Sequence, residues 1–220
     1  MLLSCIFPPV CLACGLLLCE ATPALPLCRG CAPEAVALPP DERTIDGITA
    51  LFEYEGPLAT AITRLKFGGD VAVAGPIGRL LAATPEIVND PLSGAPRRWD
   101  LLAPLPLHPR RALQRGYDQA VLLTTWLARA WPQADAPQHR ARLLRRTRAT
   151  TPQTELGGGE RRSNVRGAFA VRAGELARGQ RILLVDDVTT TGASLNAGRS
   201  ALLAAGATEV AGLALLRALP

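Results

Sequence analysis

Apolar and polar positions divide the chain into short runs of two different periods. Residues 48–54 read I-T-A-L-F-E-Y and predict a strand. Pro57 suits the first turn of a helix, and Leu58, Ile62 and Leu65 recur at helical spacing up to Phe67. Residues 71–83 predict a second helix, and residues 85–98, rich in proline and glycine, a loop. Residues 100–103 predict a short buried strand, stopped by Pro104 and Pro106. Ala120, Leu123, Leu127 and Ala130 predict a helix reaching Trp131. Residues 182–185 form an unbroken apolar run, I-L-L-V, ended by Asp186 and Asp187; this suits a strand covered on both faces in a parallel sheet. Leu195, Leu202 and Leu203 predict the buried face of a helix over 195–205, which Gly206 stops, and residues 210–216 predict a last strand. Strands alternating with helices imply an α/β fold with a parallel sheet.

Composition narrows this picture. With 220 residues, 48% of them hydrophobic, the chain can bury a sizeable core. No apolar run approaches the ~20 residues that span a bilayer. Residues 1–6 lack the basic and long apolar regions of a signal peptide, so the expected compartment is the cytoplasm, with no membrane insertion. The net charge is +5, and Lys66 is the only lysine. Arginine suits phosphate and nucleic-acid contacts, although arginine-rich codon usage accounts for most of this bias. Five arginines fall within residues 139–148 (Arg140, Arg142, Arg145, Arg146 and Arg148). They form either a contact for a nucleic-acid backbone or a solvated face with Leu143 and Leu144 turned inward; no aromatic residue is interleaved for base stacking. Two histidines, without a Ser-His-Asp set or an H-E-x-x-H motif, argue against histidine-based catalysis.

All six cysteines lie in the first 31 residues. Without an export signal, disulfides are disfavoured. Cys11-Leu-Ala-Cys14 and Cys28-Arg-Gly-Cys31 are two C-x-x-C hooks, and four thiolates make a closed structural zinc site. Cys5 and Cys19 are spare, and Cys19 is an alternative to one hook member; buried free thiols or a redox pair are the competing readings. Residues 1–40 are thus read as a zinc-binding segment resembling a double zinc ribbon, too short to fold without metal. Proline-rich residues 32–44 read as a linker, and residues 45–220 as the main domain.

The stretch after residue 185 carries the candidate chemistry. Asp186 and Asp187 fall at the carboxyl end of a parallel strand, where open α/β sheets bind ligands. Thr189, Thr190, Thr191, Gly192, Ala193 and Ser194 follow, just before a helix whose free amides favour an anion. Hydroxyls and amides for a phosphate, beside carboxylates for sugar hydroxyls, describe a sugar-phosphate pocket. The order resembles the 5-phosphoribosyl diphosphate (PRPP) fingerprint of type I phosphoribosyltransferases. That resemblance implies ribose contacts from Asp186 and Asp187, a 5-phosphate held by residues 190–194, and magnesium bridging diphosphate and ribose oxygens. It also implies diphosphate near Arg115 and the turn at 104–107. Lys66, before Gly68-Gly69, either contacts an anion or satisfies the end of its helix.

The match extends along almost the whole chain. The paired cysteine hooks, Lys66-Phe67 with Asp70, Pro104-Leu-Pro106-Leu, Arg115-Gly-Tyr-Asp-Gln119, Gln153, Arg161 with Asn164, and Gly167-Ala-Phe169 resemble, in that order, the competence protein F (ComF) family. Arg161, Arg162 and Arg166 are candidates to face the pocket or a partner. The family usually has asparagine where this chain has Asp118; a carboxylate there would repel diphosphate, and a structural role such as capping the next helix suits Asp just as well. Two functions follow from the resemblance. One is transfer of a ribosyl group from PRPP to a nitrogen nucleophile with release of diphosphate, in DNA uptake, natural transformation or nucleotide metabolism. The other is a non-catalytic, zinc-containing adaptor for single-stranded DNA or for recombination and helicase proteins.

Overall fold

In the computed structural model, residues 9–18, 25–89, 94–132, 136–147, 167–173 and 175–218 are described. After a 3₁₀ turn at Ala32–Glu34, the elements run as β1 (Thr44–Ile45), β2 (Ile48–Glu53), α1 (Gly56–Phe67), a 3₁₀ turn (Val71–Val73) and α2 (Ala74–Ala82). Next come α3 (Pro85–Val88), β3 (Leu101–Pro104), α4 (Pro109–Arg115), α5 (Gln119–Arg129), β4 (Gln138–His139), β5 (Leu144–Arg146) and β6 (Phe169–Val171). The chain ends with β7 (Arg181–Thr189), α6 (Ala193–Ala204) and β8 (Glu209–Arg217). Six strands form one sheet in the order β1-β2-β8-β7-β3-β4. Only the β1–β2 hairpin is antiparallel; the other four neighbouring pairs are parallel. Strands β5 and β6 form a separate antiparallel ribbon.

The sheet is covered on both faces, as its apolar central strands require. Leu183, Val185, Leu213 and Leu215 point into one core with Leu58, Ile62, Ile77 and Leu123 from the helices α1, α2 and α5. Ile182, Leu184 and Ala214 point into the other, with Leu195 and Leu202 of α6 and with Leu144 and Phe169 of the ribbon. Leu143 and Leu144 are buried, the arrangement that turns the neighbouring arginines outward or into clefts. Helices α2 and α5 cross closely: a Cβ on Gly78 would meet the Trp126 Cβ at 2.4 Å.

Three details differ from the sequence expectation. Residues 85–98 are not all loop, because Pro85 starts α3 and the buried Trp99 indole donates to the Ile87 carbonyl at 2.7 Å. Strand β7 does not end at its carboxylates but continues to Thr189, paired with β8 through Arg217. Residues 32–44 do not hang free: the Leu38 amide donates to Leu51 O and the Glu53 amide to Val36 O, both at 2.9 Å, along β2. The cysteine segment also shares the main core, through the buried side chains of Leu12 and Leu27. Arg64 on α1 donates to the carbonyls of Leu12 and Ala13, each at 3.0 Å, and pairs with Asp70 at 2.5 Å. Among the described residues, no helix is long and apolar enough to cross a membrane.

Candidate functional site

The continuation of β7 past Val185 determines how the two carboxylates are used. Successive side chains of a strand point to opposite faces. Asp187 therefore shares the face of Leu183 and Val185, and Asp186 that of Ile182 and Leu184. Asp187 is 3% exposed and meets Lys66, at the end of α1, with Nζ 2.7 Å from Oδ2. Lys66 thus neither caps its own helix nor waits for an anion; it neutralises a buried carboxylate. Asp186 faces Arg146 on β5. Burial, first, and then the neighbouring Asp187 charge raise the proton affinity of Asp186 well above the usual carboxylate range, against the pull of Lys66. Burial also draws the Arg146 guanidinium down, as does the Arg111 charge, while Asp186 opposes both. Arg146 lies over the Phe169 ring, 5.3 Å from its centroid.

A cleft of about 210 Å³ opens in front of this pair. Lys66, Arg111, Arg115 and Arg146 surround it, with Gln119, Thr190, Ser194 and the turn 105–107. That turn is held from two sides. The Leu105 amide donates to Val185 O at 2.7 Å, and the Leu107 amide to Asp118 Oδ2 at 2.8 Å. The other Asp118 oxygen accepts from the Ala120 amide at 3.0 Å and caps α5. Asp118 is thus a fastener between turn and helix, as its resemblance to a capping residue suggests. Burial raises its proton affinity, opposed by the amides of Leu107, Ala120 and Val121. Arg115 Nη1 donates to Gln119 Oε1 at 2.9 Å.

The hydroxyl-rich loop is divided between two cavities. Thr190 and Ser194 line the cleft of the carboxylates. Thr189, Thr191 and Gly192 line a second cavity of about 560 Å³, with Ile45, Ile48 and Arg217, and Thr190 borders both. Arg217 is itself buried and donates to the carbonyls of Glu42 and Arg43, both at 2.6 Å. Ala193 is buried and begins α6, two residues earlier than the apolar pattern suggests. Gly192 precedes it with φ of 73°, and a Cβ there would stand 2.8 Å from Ile48 Cδ1. Only glycine combines that backbone with that approach. Arg111, Arg146 and Gln119 also line the cleft; the sequence displays Gln119 only as the end of a motif and Arg146 only as one of five clustered arginines, and assigns none of the three to the site. Arg148, Gln153, Arg161, Arg162, Asn164 and Arg166, like Cys5 and Cys19, lie outside the described residues.

The four hook cysteines converge. Their sulfurs all lie within 4.8 Å of one another, and Cys14 Sγ is 3.8 Å from Cys28 Sγ. Tetrahedral zinc with metal–sulfur bonds of ~2.3 Å sets sulfurs roughly 3.8 Å apart, so the donor set and spacing fit a metal ion. Burial pushes the Cys11 thiol up, but amide donation from Cys14, Cys28 and Ala13 outweighs it and brings it down to about 6. Contact with the Cys28 thiol, and then burial, push Cys31 up to about 12. Thiols set against each other in this way are the cluster that a divalent cation relieves.

No family profile matches the chain. Individual relatives do. The DNA utilization protein YhgH of Salmonella typhimurium is 30% identical over 205 residues, 91% of this chain and 81% of its own length. That of Escherichia coli O157:H7 is 31% identical, covering 78% of this chain and 70% of its own length. Competence protein F of Haemophilus influenzae is 35% identical over 162 residues, 70% of this chain and 66% of its own. Among solved structures, the glutamine phosphoribosylpyrophosphate amidotransferase of B. subtilis aligns with a TM-score of 0.39 at 21% identity, over 64% of this chain and 26% of that one. The extent and level of the sequence matches make this chain a member of the competence protein F family.

Proposed function

We propose that the cleft binds PRPP, or a related ribose phosphate, together with magnesium. One observation carries the reading: two carboxylates and four cations, separated by up to 121 positions in the chain between Lys66 and Asp187, close around a single cavity. Carboxyl oxygens accept hydrogen bonds and ribose hydroxyls donate them, so Asp186 and Asp187 suit the sugar. Thr190, Ser194 and the amides at the head of α6 suit the 5-phosphate. Arg111, Arg115 and the 105–107 turn suit the diphosphate. Paired carboxylates are hard oxygen donors, so Asp186 and Asp187 would hold magnesium, which would supply positive charge beside the ligand's phosphates.

The reaction this arrangement would support is displacement at C1 of the ribose by a nitrogen nucleophile, with diphosphate leaving. The acidic pair would balance the positive charge that develops on the ring, and the basic residues the charge on the departing group. Positioning, more than one acid or base, would supply the rate. The names of the relatives, competence and DNA utilization, support a setting in DNA uptake or in the use of its nucleotides. Cys11, Cys14, Cys28 and Cys31 would hold a structural zinc beside α1.

Calorimetry with PRPP and magnesium tests the reading. Saturable binding is expected in the wild type and none in the Asp186→Ala, Asp187→Ala double variant. Equal heats from both proteins overturn the proposal. Binding of single-stranded DNA, steeply weakened by salt and unaccompanied by PRPP binding, favours the adaptor instead.

A further inference from the structure

A second feature lies next to the cleft, and its aromatic wall has no part in holding ribose phosphate. Phe67 is the last residue of α1, and its side chain is 75% exposed. A single exposed apolar residue is ordinary. What surrounds this one is not. The Arg115 guanidinium stacks on the ring, 4.9 Å from its centroid, and is held there by Gln119. The Tyr117 hydroxyl donates to the Leu65 carbonyl and fixes the next loop against α1. Together these groups bound a cavity of about 530 Å³, completed by Lys66, Gly69, Arg111 and Gln114. Among the described residues no carboxylate lines it, whereas the neighbouring cleft holds two. Lys66, Arg111 and Arg115 belong to both and form the wall between them.

We propose that this shelf binds a nucleotide unit, with its base stacked on Phe67 and its phosphate on Arg111 and Arg115. A planar π surface takes one face of the Phe67 ring while the guanidinium keeps the other, extending the stack by one layer. Lys66 is already held by Asp187, but Arg111 and Arg115 meet no carboxylate among the described lining residues, and these two guanidiniums select an anion attached to the ring system. The volume lies within the range of small-molecule sites. The sequence offers no aromatic among the arginines of 139–148; the fold supplies Phe67, beside a different set of arginines. Free mononucleotides and single-stranded nucleic acid present the same base and phosphate, and either source satisfies the shelf.

The test uses the full chain, without PRPP or magnesium, so that success or failure of the ribose-phosphate reading does not decide it. Two probes are titrated: 2-aminopurine riboside 5′-monophosphate, and an oligothymidylate carrying one 2-aminopurine. Stacking quenches 2-aminopurine fluorescence, and at least one probe is expected to bind with quenching. Phe67→Ala is expected to weaken that binding roughly 5- to 150-fold, the range of base–aromatic stacking. Phe67→Trp is expected to keep it, which separates loss of stacking from loss of fold. Binding of the oligonucleotide alone identifies single strands as the source, and binding of the mononucleotide identifies free nucleotides; both support the shelf. Failure of both probes, or equal affinity of wild type and Phe67→Ala, overturns it.

Discussion

Lys66→Met is the substitution whose cost the structure specifies best. The ammonium it removes lies 2.7 Å from a carboxylate oxygen of Asp187, and the two side chains are 18% and 4% exposed. Stripping one partner from a buried pair costs ~3–5 kcal/mol, because the remaining charge has lost both water and counter-ion. The partial exposure of Lys66 places the expected loss near the lower end, about 3 kcal/mol. An unfolding entropy of about 2.1 cal/mol/K per residue over 220 residues converts this to a fall in melting temperature of about 6 °C. Urea unfolding at pH 7.5, with melting curves alongside, measures both quantities. The Lys66→Met, Asp187→Asn double variant should regain most of the loss because neither position of the pair then carries a charge. A single variant within about 1 kcal/mol of wild type would refute the reasoning, as would a double variant no better than the single.

Three further outcomes follow from the same geometry. Burial and the Asp187 charge raise the folded-state proton affinity of Asp186, so the native state binds more protons than the unfolded chain, and stability falls as pH rises from about 4 through that higher folded value. Asp186→Asn should therefore match wild type in melting scans near pH 4 and exceed it towards pH 8; a gap that does not change with pH contradicts this. Asp118→Ala removes the cap of α5 and strands the Leu107 amide, for a combined loss of roughly 2–3 kcal/mol in urea unfolding, whereas Asp118→Asn keeps an accepting oxygen and should lose far less. Purified protein should carry about one equivalent of zinc by elemental analysis. Chelation should lower its melting temperature, since Leu12 and Leu27 sit in the main core beside the cysteines.

The parts of this protein that a sequence displays are those with local causes. The apolar run at 182–185 is a buried strand because nothing polar interrupts it, and Asp118 reads as a cap because its oxygen reaches an amide two residues on. The identity of the carboxylates was equally legible, but their division of labour was not. It depends on β7 continuing to Thr189, and what extends it is pairing with β8, a strand whose own pattern says nothing about length. Once the strand continues, alternation sends Asp187 towards α1 and Asp186 towards the β5–β6 ribbon, and each finds a cation supplied from elsewhere. Lys66 is ambiguous for the same reason: a lysine closing a helix looks the same whether it faces solvent or a carboxylate 121 positions away. The order β2-β8-β7 is what brings those two ends together. Arg146 carries no distinguishing mark among its neighbours, and only the inward turn of Leu143 and Leu144 selects which arginine enters the cleft. A fingerprint thus names the residues that meet the ligand, while sheet order decides which distant charges make those residues tolerable before the ligand arrives.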